Sequence, residues 1–371
     1  MAGRGLVLGW GPRSREDSPF LEKLWPAVLA GAASGRGLLV DSHVLHTLLN
    51  GYARDCLSSR RRRDELADAF TTLVEADEDP PVAASALLTA ALDYHAGSLA
   101  DNGGVCRLGK FHNILYVAAA VAMQQEAADS AVVARLLAAL HACEGGLDRL
   151  VAPAVLGPRV SRLLSSWRPD DDTPEQARLR LVFFLDHART ARLSLPQPAG
   201  PPLTPLLSPL PTLQGASPLY AAVQAGDKEA VLLLLQHGAP PATGGVMCPL
   251  LLSLRRLSTL ARACMGQRDP CSCPAALCPC FFSHPVTFPA QEVSVLRLLL
   301  RATGDRFLPY DPEVLHPRVV TAGLLGGPPS LAHWARFSLR RSLAALWALP
   351  NGTAALPVPP TMLPYLNLLH D

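Results

Sequence analysis

The stretch that most narrows what this chain can fold into runs from Ser217 to Ala239. Pro218 cannot extend a helix backwards, but its missing N–H costs nothing in the first turn of a new one. Leu219 to Ala225 then runs up to Gly226, and Lys228 to Gln236 runs up to Gly238. A glycine after each run can take positive φ and stop the helix. Helices this short are marginal alone, so Val231, Leu234 and Leu235 must be covered by a neighbouring layer. Ala221 and Ala222 are small enough to let that layer come close. The unit therefore commits its part of the chain to stacked helical pairs.

These residues resemble an ankyrin repeat, a turn plus two antiparallel helices with a period of about 33 residues. A second unit opens at Cys248-Pro249-Leu250 and resumes at residues 293–300, with an insertion over about residues 255–291 between its helices. About three repeats are needed to bury a continuous stack, so further layers must lie upstream or the C-terminus must act as a cap. Residues 113–119 echo the first helix of the repeat and residues 129–137 the second. Helix-period spacing predicts further helices near residues 39–53, 63–74, 82–94, 152–167 and 173–195. Residues 1–195 are thus expected to form a helical domain of degenerate ankyrin-like pairs, an unrelated helical bundle being the alternative. A Pro/Leu-rich linker at 196–213 should separate it from the repeats at 214–310.

The C-terminal 328–371 segment is too short to fold around a core of its own, yet it keeps a row of large apolar side chains. Pro328 and Pro329 bar a helix upstream, and Ser330 can cap the next one. Leu331, Ala335, Leu339 and Leu343 recur every four residues and share a face, with Trp334 beside them. Farther on, Leu356, Pro357, Pro359 and Pro360 lead to Tyr365 and Leu366, a proline-phased run expected to be extended. Such a surface reads as one to be buried by another protein.

This order of half-motifs resembles a SOCS box, the module that recruits elongins B and C and a cullin to form a ubiquitin ligase. Leu331 and Leu339 match the outer positions of the family's Leu-x-x-x-Cys-x-x-x-aliphatic pattern, and Ala335 stands where cysteine is usual. The departure keeps a small apolar residue but loses contact volume for elongin. Leu356, Pro357, Pro359, Tyr365 and Leu366 match the second half, which the resemblance associates with cullin-5. Together the two resemblances point to the ankyrin repeat and SOCS box family. They imply an all-α fold: an ankyrin-type helical solenoid, degenerate helical pairs at the N-terminus and a SOCS-box helical module at the end. The implied function is that of a non-catalytic substrate receptor. Leu331, Trp334, Ala335 and Leu339 would meet elongin; Leu356, Pro357, Pro359, Tyr365 and Leu366 would meet the cullin; the repeats would hold a protein target. The alternative is an ankyrin scaffold whose tail caps its own repeats.

Composition narrows the remaining classes. A net charge of +2 on 371 residues is no footprint for nucleic acid, and no apolar run reaches the roughly 20 residues that span a bilayer. Neither a nucleic acid nor a membrane is expected as a partner. Nine cysteines without a secretory leader fit reduced thiols in the cytosol, with the nucleus as a second compartment. No nucleophile elbow, zincin helix or kinase signature is present. Gly104 to Lys110 nearly spells a phosphate loop, but Phe111 stands where Ser or Thr should bind magnesium, so a loop before a helix is expected. Arg60 to Arg63 and Asp170 to Asp172 read as solvated charge. Cofactors are not expected, with one exception: Cys271, Cys273, Cys278 and Cys280, with His284 in reserve, could bring thiolates around Zn²⁺. Their single-residue spacing is tighter than the usual two-residue gap.

Overall fold

The computed structural model describes residues 40–197, 201–242, 247–266, 288–304, 319 and 329–370. These residues are all-α: fourteen α-helices, a few 3-10 turns, two isolated β-bridges and no strand. Two compact units divide the chain, Met1–Leu136 and Leu137–Asp371.

In the first unit α1 (Ser42–Asn50) packs on α3 (Pro80–Ala100), and α2 (Arg60–Glu75) packs on both α3 and α4 (Lys110–Gln124). Helix starts follow from local chemistry. Asp41, Ser59 and Asp79 each accept a hydrogen bond from a backbone N–H of the first turn, and Pro80 opens α3. The core is Leu45, Leu48, Leu49, Leu66, Phe70, Leu87, Leu88, Ile114 and Leu115, with buried alanines where α3 and α4 meet. α2, α3 and α4 have 16, 21 and 15 residues, against 8 and 9 in the repeat-like pair, so residues 113–119 echo the repeat only locally. The arginine run is not wholly solvated: Arg63 is buried and donates to the carbonyls of Leu57 and Ser58, while Arg61 and Arg62 pair with Glu65.

α5 (Ser130–Glu144) leads into the second unit. The single helix expected over 152–167 is two, α6 (Asp148–Leu156) and α7 (Pro158–Ser165), because Gly157 at φ 81° breaks the run. α6 packs on α8 (Pro174–Thr190) and on α9 (Pro218–Ala225). α9 pairs with α10 (Lys228–Gln236), α11 (Pro249–Gly266) with α12 (Ala290–Ala302); α9 lies on α11 and α10 on α12. Gly226, at φ 69°, turns the chain between α9 and α10, and Asp227 caps α10 through the N–H groups of Glu229 and Ala230. Arg256 of α11 donates to the Val223 carbonyl at 2.9 Å and pairs with Glu292, so the second layer caps the end of the first. α11 runs on past Arg255 to Gly266, so the start of the expected insertion is helical.

Two other expectations change. The Pro/Leu-rich stretch is no loose linker over its described residues: Pro205, Ser208 and Leu210 are buried, and Thr212 N donates to Asp148 at 2.9 Å. Asp170 and Asp171, expected in solvent, are each 8% exposed and hold the buried Arg180, whose charge needs paired carboxylates. The tail adds α13 (Leu331–Ala345) and α14 (Leu363–Leu366). The run expected to be extended therefore ends in helix: a 3-10 turn at Pro360–Met362 passes into α14, because proline is tolerated in a helix's first turn.

Candidate functional site

α13 begins where Ser330 accepts from His333 N at 3.2 Å. Its faces are inverted relative to an ordinary surface helix. Leu331 is 86% exposed, Trp334 42% and Leu339 38%, and Ala335 lies exposed among them. On the opposite side His333, Arg336 and Arg340, spaced by three and four residues, are buried.

Main-chain acceptors explain that inversion. His333 Nε2 lies 2.7 Å from the Thr303 carbonyl beyond the end of α12, and Arg336 donates to His333 Nδ1 at 3.1 Å. That arrangement makes the imidazole neutral, with its proton on Nε2. Arg336 also donates to the His370 carbonyl at 3.2 Å and lies over the Tyr365 ring, 4.2 Å from its centre. Arg340 donates to the Leu366 carbonyl at 2.9 Å and to the Leu235 carbonyl at 2.5 Å, in the last turn of α10. Carbonyls at a helix C-terminus carry partial negative charge, which suits a cation. Burial, and then the charge of Arg336, pull the Arg340 guanidinium down to about 10, so it stays protonated at neutral pH. Gln236 donates to the Asn367 carbonyl and Arg301 to that of Leu368, tying α10 and α12 to the last residues. Phe337 lies so close over Gly304 that even a methyl group there would collide with its ring.

The second set of tail residues is divided. Pro357 and Pro359 are exposed and Leu356 is half-buried, open to a partner. Tyr365 lies beneath Arg336 and Leu366 is 3% exposed, so these two hold the tail to its own chain. Spacing alone missed His333, Arg336 and Arg340, although their three-and-four pattern was there to be read as a second face.

The other sequence candidates sort as follows. Cys271, Cys273, Cys278, Cys280 and His284 lie outside the described residues. Lys110 does not serve a phosphate: its Nζ is buried and donates to the carbonyls of Leu49 and Tyr52 at 2.6 and 2.7 Å. A group not anticipated from the sequence, His95, Cys106 and His112, brings ligand atoms within 4.8 Å of one another and could hold a metal ion. Burial keeps the His95 imidazole below its ordinary range; the Phe111 carbonyl works against that and the His112 charge adds to it. No single helix among the described residues is long and apolar enough to cross a membrane. No protein-family model matches the chain, and neither the curated proteins nor the solved structures include a match to it.

Proposed function

We propose that this chain is the substrate-recognition subunit of a cullin-5-type elongin B/C ubiquitin ligase. The observation that carries the reading is the inversion of α13, whose apolar face, Leu331, Trp334, Ala335 and Leu339, points away from the chain while its cationic face is buried. Burying a Leu-sized side chain is worth about 1.5–3 kcal/mol, so leaving several of them in water on one helix favours a partner that covers them. On this reading the helix docks on elongin C and the exposed Pro357 and Pro359 meet the cullin. The stacked pairs α9/α10 and α11/α12 act as an ankyrin-type platform for the target. The chain itself performs no covalent step; it supplies proximity to a ubiquitin-loaded enzyme. The cytosol, or the nucleus, is its place of action.

The His333–Arg336–Arg340 seam favours a second reading, a scaffold whose tail caps its own repeats. Co-expression with elongins B and C followed by gel filtration separates the two. Co-elution that is lost on Leu331→Asp is expected. A chain that elutes alone leaves only the cap.

A further inference from the structure

We propose that His95, Cys106 and His112 form a zinc site that clips the end of α3 and the loop after it to the start of α4. His95 lies near the end of α3, Cys106 in the loop, and His112 in the first turn of α4. Their ligand atoms are within 4.8 Å of one another. Around tetrahedral zinc, with metal–nitrogen bonds near 2.0–2.1 Å and metal–sulfur bonds near 2.3 Å, ligand atoms stand roughly 3.3–3.8 Å apart. Small rotations of three side chains reach that spacing.

The outer partners are also present. His95 Nδ1 donates to the Phe111 carbonyl at 2.9 Å, which leaves Nε2 as the nitrogen with a lone pair for a metal. Phe111 immediately precedes His112, so one ligand's ring is oriented by the backbone beside another. The rings of His95 and His112 are 2% and 1% exposed and meet edge to face, 5.6 Å between centres. Cys106 is half-buried, and its loop is clasped on both sides: Asn102 donates to the Val105 carbonyl at 2.8 Å and Arg107 to the Asp101 carbonyl at 3.2 Å. Lys110, anchored on the carbonyls of Leu49 and Tyr52, fixes the far end. Such a site is held by packing rather than drawn together by the ion.

Two imidazoles and one thiolate select a borderline-soft ion, zinc before the oxygen-seeking magnesium and calcium. Binding deprotonates the Cys106 thiol, and the proton goes to solvent. Three ligands leave the fourth position to water or to another side chain.

The test separates this site from the cysteine-rich stretch. The full-length chain carrying Cys271→Ser, Cys273→Ser, Cys278→Ser and Cys280→Ser is purified without a histidine tag and its zinc measured by mass spectrometry. About one equivalent is expected to remain. Replacing that zinc by cobalt should give the visible bands of a tetrahedral ion and a thiolate charge-transfer band. Adding Cys106→Ser should abolish the thiolate band and release the metal, whereas Cys56→Ser should leave both intact. Absence of metal and cobalt bands from the fourfold variant overturns the site. So does a thiolate band that survives Cys106→Ser.

Discussion

Arg340 shows how much of this molecule rests on single cations directed at main-chain oxygens. It reaches Leu366 on one side and the last turn of α10 on the other. A hydrogen bond to a charged donor contributes about 1.5–3 kcal/mol, and its loss also leaves buried carbonyls unpaired. Arg340→Ala is therefore expected to lower stability by about 3 kcal/mol in urea titration. Arg340→Met, which keeps the stem but no donor, should cost nearly as much. A loss below about 0.5 kcal/mol, the level of an ordinary surface change, would show that the seam contributes nothing. Ala335 carries the opposite kind of prediction, one that depends on the proposed function. Ala335→Cys restores contact volume at the centre of the exposed face and should gain about 1 kcal/mol, roughly fivefold in elongin affinity by calorimetry. Residues of this second kind were legible in the sequence, because apolar spacing states its own face. Arg336 and Arg340 were not: a charged side chain is buried only where acceptors await it. Here the acceptors are the carbonyls of Leu235, Leu366 and His370, far along the chain.

Among the elements, α9 and α10 were read almost whole from proline and glycine, since helix-start and turn chemistry are local. Boundaries set by neighbours were harder, as with the division at Gly157 and the helical turn that follows the prolines of the tail. The zinc candidate was hidden for a related reason, its ligands being single residues on two helices and a loop with none of the paired spacing that marks a metal site in sequence. α10 also carries a pH dependence. His237, just past its end, donates to the Leu233 carbonyl, and burial holds its pKa below the ordinary 6.5. The Leu233 carbonyl and Asp186 push that value back up; Arg189 and Arg340 push it down. Burial lowers His141 of α5 in the same direction. The unfolded chain then binds protons that the folded chain refuses, so stability is full above about pH 6.5 and falls as pH drops below it. A lower urea midpoint at about pH 5.5 than at about pH 7.5 is expected, with part of that slope removed by His237→Gln. A midpoint unchanged over that range, or one that rises toward acid, would contradict the assignment.

For the molecule as a whole, the repeated device is a layer that finishes its neighbour. Arg256 of α11 closes the end of α9, Arg340 of α13 closes the end of α10, and Arg301 of α12 holds the last residues. A stack built this way needs a terminal cap, and the tail is the last described layer. Deleting residues 329–371 should uncover the carbonyls at the ends of α10 and α12, lower the melting temperature and speed amide exchange in both helices. Unchanged exchange there would mean that the stack ends by itself. The all-α class and the layered second unit could be anticipated from periodicity. The long helices of the first unit could not, because alanine-rich helices of any length share the same local pattern.

That seam is written in backbone rather than in side chains. Leu235, Gln236 and Thr303 offer α13 only their carbonyl oxygens, which every amino acid would supply so long as the helices end where they do. Side chains on the outer faces of α9 to α12 can therefore change without disturbing the seat of the tail. The geometry that presents Leu331 and Trp334 is inherited from main-chain architecture, so on the proposed function target choice and recruitment can evolve as separate traits.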